Sequence, residues 1–208
     1  MNTAETAKFN MIEQQMRPWE VLDGQVLSVI NEVDRADFVA QQYHGLAYAD
    51  CQVPVCKGVT MFPPTIEGRL LQALLIKPND NILEIGSGSG YITTCLARLG
   101  KQVLSIDIND EALALARRNS DKYGLGNIEF EQLNAFECAY DQVFDAIAVC
   151  GTVRSVPDNL KQALRIGGRL FVICGQSPVM QALLITRASA TEWITESLFE
   201  TDLPALAN

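Results

Sequence analysis

Glu84-Ile85-Gly86-Ser87-Gly88-Ser89-Gly90-Tyr91 closes one short apolar run, and the next such run ends at Asp107. A glycine-rich turn between a strand and a helix lets backbone approach a ligand closely and aims the free N–H groups of the helix N-terminus at it. The dinucleotide fingerprint is G-x-G-x-x-G, whereas the glycines here are spaced G-x-G-x-G and an acid stands two positions before the first. A pyrophosphate gains nothing from a carboxylate at the strand tip. S-adenosylmethionine, which carries an ammonium and a sulfonium, does gain, so spacing and charge together point to that cofactor. Asp107, 17 residues beyond Gly90, stands where an acceptor for two ribose hydroxyls is expected. The plainer alternative is a tight strand-to-helix turn with two unrelated acids; the placement of turn and acids on strand ends argues against it.

Outward from this turn, short β-rich runs alternate with helical patterns, the signature of βαβ units and a parallel sheet covered on both faces. Strands are predicted over Asn81 to Ile85, Gln102 to Ile106, Ile128 to Gln132, Phe144 to Val149 and Arg169 to Cys174. Helices are predicted over Tyr91 to Leu99, Glu111 to Tyr123 and Asn159 to Leu164; in the second, Leu113, Leu115 and Ala116 form the apolar stripe, Asn109 or Asp110 caps the start, and Gly124 stops it. Ala182 to Arg187 and Glu192 to Phe199 read as an antiparallel hairpin at the sheet edge. The first 75 residues differ. They carry helical patterns near Ala4 to Gln15, Gln25 to Glu32 and Thr65 to Leu75, around an irregular stretch from Tyr43 to Pro64 of a length that is usually functional. The expected division is a helical cap with a substrate-side loop over 1–75 and a cofactor-binding core over 76–208, packed as one unit.

At 208 residues the chain suits one domain of ordinary size. A net charge of -9 argues against nucleic acid and anionic membrane surfaces, which need a basic footprint, and leaves a small molecule or a polypeptide as substrate. The six cysteines are scattered, several inside apolar runs; Cys51 and Cys56 are the one close pair, without the second pair that a zinc site needs, so no metal is expected and the thiols are read as reduced and structural. The early residues Glu5 and Lys8 interrupt any apolar leader, and no run approaches a membrane span, so a cytoplasmic, soluble protein is expected.

Several segments carry a resemblance to a known family. Besides the Glu84 to Tyr91 turn, Arg35-Ala36-Asp37-Phe38-Val39 looks like a "PR-x-x-FV" motif, Ala47-Tyr48-Ala49-Asp50 is followed by Val53-Pro54, and Phe144-Asp145-Ala146-Ile147 precedes a run from Val156-Pro157 through Gln162 to Gly167-Gly168-Arg169-Leu170. From about Met11 to Gln181 the chain resembles the protein-L-isoaspartate (D-aspartate) O-methyltransferases. The resemblance implies a doubly wound, mostly parallel Rossmann-like sheet of the S-adenosylmethionine-dependent methyltransferase type, with the C-terminal antiparallel hairpin and the N-terminal helical cap. It also implies methyl transfer to the α-carboxylate of isoaspartyl residues in damaged proteins or peptides, with a small carboxylate as another possible acceptor. A carboxylate is already an anion at neutral pH, so the reaction requires positioning and exclusion of water but no general base. His44, the single histidine, is accordingly read as a satisfied residue of the cap. Carried over by residue, Glu84, Gly86, Ser87, Gly88 and Gly90 would hold the methionine end of the cofactor, Asp107 with Ile108 the ribose, and Asn134 the adenine edge in place of the family's aspartate. Asn134 is equally well read as an ordinary loop residue.

One departure stands out. The family segment "G-Q-T-I-S-Q-P" reads Gly58-Val59-Thr60-Met61-Phe62-Pro63-Pro64, so Phe62 replaces the serine whose hydroxyl lies near the transferred methyl. A phenyl ring donates no hydrogen bond, and losing one preorganised donor commonly costs on the order of 10²- to 10³-fold in rate. Thr60, on the same face of an extended segment, is the candidate substitute. Three other readings stand beside the leading one: a methyltransferase for a different acceptor, with Phe62 and Trp19 shaping an apolar pocket; a cofactor-binding protein without turnover; and, furthest, a nicotinamide dehydrogenase.

Overall fold

The computed structural model describes residues 3–206. Helix α1 (Thr3–Asn10) buries none of its residues and widens into a π-helical segment, Met11–Met16, whose Met11, Ile12 and Met16 reach the core. Helix α2 (Gly24–Glu32) starts at Asp23, whose carboxylate accepts the Gln25 and Val26 N–H groups, the standard remedy for unpaired donors at a helix start. The stretch from Tyr43 to Pro64 is more ordered than its sequence suggests. It contains a short antiparallel hairpin, β1 (Val53–Cys56) and β2 (Val59–Met61), turning at Gly58, before helix α3 (Pro64–Leu74).

The second half follows the alternation of its apolar runs. β3 (Asn81–Ile85), α4 (Tyr91–Leu99), β4 (Gln102–Asp107), α5 (Asp110–Asp121), β5 (Ile128–Gln132), β6 (Phe144–Val153), α6 (Asp158–Ala163), β7 (Leu164–Gln176), β8 (Val179–Arg187) and β9 (Trp193–Thr201) follow in order. The seven-stranded sheet runs β5-β4-β3-β6-β7-β8-β9. The first five strands in that order are parallel, and β8 and β9 are antiparallel, forming the expected edge hairpin. Successive residues enter opposite faces. Ile82, Ala146, Ala148, Phe171 and Ile173 join the cluster that includes α3, α4 and the cap, whereas Leu83, Ile147, Val149, Leu170 and Val172 join a second cluster with Leu160 and Ala163 of α6. Strand order reverses between β3 and β6, which opens a crevice at the carboxyl ends of the strands, the usual ligand position in such sheets.

One predicted feature moves and one alternative is resolved. The buried stripe of α5 is Ala112, Ala116, Asn119 and Ser120, while Leu113 and Leu115 are half-buried. Asn109, rather than Asp110, caps α5, accepting the Glu111 and Ala112 N–H groups. The shift in the stripe follows from what α5 packs against, which is the backbone of the glycine turn. Asn119 donates to the Ser89 carbonyl at 3.0 Å, and Thr94 and Ser120 both reach the Gly90 carbonyl. Gly90 has φ 86°, and a Cβ there would lie 2.7 Å from the Ala116 carbonyl oxygen. Small residues and amides suit this contact; leucines do not. Gly90→Ala is therefore expected to lower unfolding stability by about 2–4 kcal/mol, from strain at positive φ plus overlap with α5. A urea midpoint unchanged from that of the natural chain would contradict this packing.

Candidate active site

Glu84 is the fourth residue of β3 and is fully buried. Its carboxylate accepts hydrogen bonds from Thr93 Oγ1 on α4 and from Ser105 Oγ, its neighbour across the β3–β4 ladder, and Cys150 Sγ on β6 approaches the other oxygen at 3.7 Å. Ser105 in turn meets Ser87 Oγ at 2.7 Å, which ties the turn to the strands beneath it. Burial raises the Glu84 pKa to about 7, against the lowering effect of the three donors.

Asp107 ends β4 beside this turn. One carboxylate oxygen accepts the Gly88 N–H at 3.3 Å and the other the Asn109 N–H at 2.9 Å. Each oxygen keeps a further lone pair for a ligand. Ile108, Leu133, Ala135 and Phe136 continue the wall as an apolar slot. Asn134 lines it too, but its side chain holds its own turn: Nδ2 donates to Glu137 and Oδ1 accepts the Phe136 N–H.

Across the crevice lies the end of the hairpin. Thr60 and Phe62 both line the cleft, together with Glu67 of α3 and Tyr91 of α4. The Thr60 hydroxyl is engaged, donating to Gln52 Oε1 at 3.3 Å, and Phe62 is 7 % exposed, packed in the core while presenting to the cleft. The cleft is open at its mouth, with about 930 Å³ of space when that mouth is included. Of the residues proposed from sequence, Thr60, Phe62, Glu84, Gly86, Ser87, Gly88, Asp107, Ile108 and Asn134 come together around it. Gly90 does not line it, because it faces α5.

The sequence reading missed one wall. Residues 204–206 return along the end of β6, where Leu206 N donates to the Thr152 carbonyl at 2.9 Å and Thr152 N to the Pro204 carbonyl at 3.3 Å. The Leu206 side chain lies on Gly86 and Gly151; a Cβ on either glycine would come within 2.8 Å of its Cδ1. This contact joins residues 120 positions apart, and no local pattern announces it. Glu67, Cys150 and Gly151 were missed for the same reason. Trp19 is not at the cleft: it packs edge-on against Phe199 of β9, 6.2 Å between centroids, as an anchor for the cap. His44 also lies elsewhere, its Nε2 2.9 Å from the Val39 carbonyl oxygen. All six cysteines are free. Among the described residues, no helix is long and apolar enough to cross a membrane.

This architecture is shared with known methyltransferases. A Plasmodium falciparum crystal structure, described as a protein-L-isoaspartate O-methyltransferase in complex with S-adenosyl-L-homocysteine, superposes with a TM-score of 0.81 over 100 % of this chain and 99 % of that one, at 21 % identity. Sequence relatives are nearer. Protein-L-isoaspartate O-methyltransferase of Koribacter versatilis is 38 % identical over 181 residues, covering 86 % of this chain and 81 % of the relative. Protein-L-isoaspartate O-methyltransferase 2 of Marinobacter nauticus is 37 % identical over 191 residues, covering 88 % and 84 %. The family model for protein-L-isoaspartate(D-aspartate) O-methyltransferase (PCMT) matches residues 6–201, and the chain belongs to that family.

The buried Glu84 has a thermodynamic consequence. Its folded-state pKa of about 7 lies above the ordinary 4.5, so the folded chain holds the proton more tightly than the unfolded one. This contribution to stability is complete below the lower value and is lost as pH rises through the higher one. Urea unfolding at about pH 5 and about pH 8 is expected to show a fall in stability that Glu84→Gln makes smaller; equal falls in the two proteins would argue against the assignment.

Proposed function

We propose that the chain is an S-adenosylmethionine-dependent methyltransferase that esterifies the α-carboxylate of isoaspartyl residues in proteins and peptides. One observation carries the cofactor assignment. Glu84 and Asp107 face a single cleft at the strand-order switch, and no Lys, Arg or His is among the described residues lining it. A cationic ligand complements these acids; a pyrophosphate does not. Gly86 and Gly88 bring backbone to the methionine end, Asp107 accepts from the ribose, and the Ile108 to Phe136 slot takes the adenine. Asn134 supports that slot through its turn. S-adenosylmethionine held there would supply a methyl on a sulfonium for transfer to an acceptor carboxylate oxygen.

The protein's part is to orient and to dry the site. The hairpin end and residues 204–206 narrow the cleft from two sides, and the cap over 1–75 serves the acceptor while 76–208 serves the cofactor. The acceptor needs no base, which suits a cleft without histidine. Phe62 weakens the acceptor end, and Thr60, with its hydroxyl turned to Gln52, is a poor replacement donor. A different acceptor is therefore the second reading, and Phe62 is the observation favouring it. The free cysteines suit a reducing, cytoplasmic setting.

Calorimetry is expected to detect S-adenosylhomocysteine and not NAD, with Asp107→Ala weakening the former about 10- to 100-fold through loss of charge-assisted hydrogen bonds. Binding of NAD alone would overturn the assignment. Labelled methyl donor and an isoaspartyl peptide are expected to yield a base-labile ester slowly. Phe62→Ser is expected to raise that rate by about 10-fold or more; no ester from either protein would leave the second reading standing.

A further inference from the structure

Arg35 and Glu67 are buried, at 0 % and 1 % exposure, and Glu67 lines the open cleft with Arg35 packed behind it. Arg35 Nε donates to Glu67 Oε2 at 2.8 Å, Nη1 to the Ala47 carbonyl at 2.6 Å and Nη2 to the Phe62 carbonyl at 2.7 Å. Its guanidinium also lies 6.0 Å from the centroid of the Tyr91 ring. One planar fork thus joins the cap, the loop before the hairpin, the strand end at Phe62, α3 and the start of α4. A buried ion pair is weak evidence for stability, because apolar residues of similar volume often hold a core as well or better. Its location suggests another reason.

Glu67 lines the cleft beside Phe62 and Tyr91. Asp50, which accepts the Thr65 hydroxyl at 2.7 Å, adds a second acid near Glu67. No basic side chain is among the described residues lining the cleft, so the compensation for Glu67 comes from Arg35 behind the wall. We propose that Arg35 and Glu67 are a positioning pair for the acceptor: Arg35 fixes the strand end at Phe62 and cancels a carboxylate that would otherwise repel an anionic acceptor. This rests on the isoaspartyl reading above. It makes acceptor charge, as well as shape, a property set by two residues that never touch the reacting atoms.

The test uses the full chain saturated with S-adenosylhomocysteine, with two peptides: one isoaspartyl, and one identical but with the α-carboxylate replaced by a carboxamide. Glu67→Gln keeps an oxygen for Arg35 and removes the charge. It is expected to tighten the carboxylate peptide about 3- to 10-fold by calorimetry, from one unit charge removed at close range, while the carboxamide peptide changes less than about 2-fold. Arg35→Met leaves Glu67 buried without its partner, where burial favours the protonated carboxyl, so it is expected to weaken the carboxylate peptide only at a pH above the raised Glu67 pKa, and the double variant with Glu67→Gln to remove that weakening. Arg35→Lys keeps the charge but cannot span three acceptors, so kcat is expected to fall more than carboxylate affinity.

Equal shifts for both peptides would make the pair a brace only and overturn the proposal. So would no shift, or no peptide binding by any variant. If the Arg35 variants lose their cooperative unfolding transition, Glu67→Gln carries the test alone. Ester formation by the natural chain with no charge-selective shift would leave the isoaspartyl reading intact and this inference refuted. Charge-selective binding without ester would do the reverse.

Discussion

A carboxylate sealed from solvent at the tip of a central strand must find its partners inside the protein, and Glu84 finds them on three elements. Thr93 comes from α4, Ser105 from β4 and Cys150 from β6. Satisfying that one group sets where α4 begins, how the glycine turn lies over the sheet, and how far apart β3 and β6 stand at the strand-order switch. Ionising the group in a dry site is unfavourable, which is why its pKa rises to about 7.

The second constraint acts from the opposite wall. Arg35 gathers carbonyls from Ala47 and Phe62 and the carboxylate of Glu67, and Tyr123 reinforces the join by accepting the Asp34 N–H and donating to Asp37. Phe38 stacks on Tyr123 and meets Tyr91 edge-on, so the cap is held to α4 and α5 by rings as well as by polar groups. The two walls answer to different chemistry. One presents the acids Glu84 and Asp107 to the cleft; the other carries Phe62 and Glu67.

Much of the sheet was legible because its signals are local. Apolar runs at Asn81–Ile85, Ile128–Gln132 and in the hairpin, and the helix at Tyr91–Leu99, appear where alternation and turn residues place them. The irregular stretch before Pro64 was less legible. Pro54 and Gly58 read as breakers, yet the hairpin of Val53–Cys56 and Val59–Met61 forms, with a register shift between Pro54 and Cys56. Such a short ladder is marginal by itself and depends on the cap and α5 beneath it. β7 also begins five residues earlier than Arg169, because Leu164 already pairs with Phe144 through a register irregularity that no sequence period reveals.

By itself the sequence determined the α/β class, the strand-to-helix glycine turn with acids at the two strand ends, and the family, since spacing, charge and strand periodicity are written in contiguous residues. Tertiary structure alone decided that Gly90 serves packing against α5, that Leu206 returns to cover Gly86 and Gly151, and that Glu67 reaches the cleft with Arg35 behind it. Those contacts join residues far apart in the chain. They exist because close-packed interiors leave a glycine wherever another segment comes near, and because a buried charge accepts whichever partner the fold brings to it.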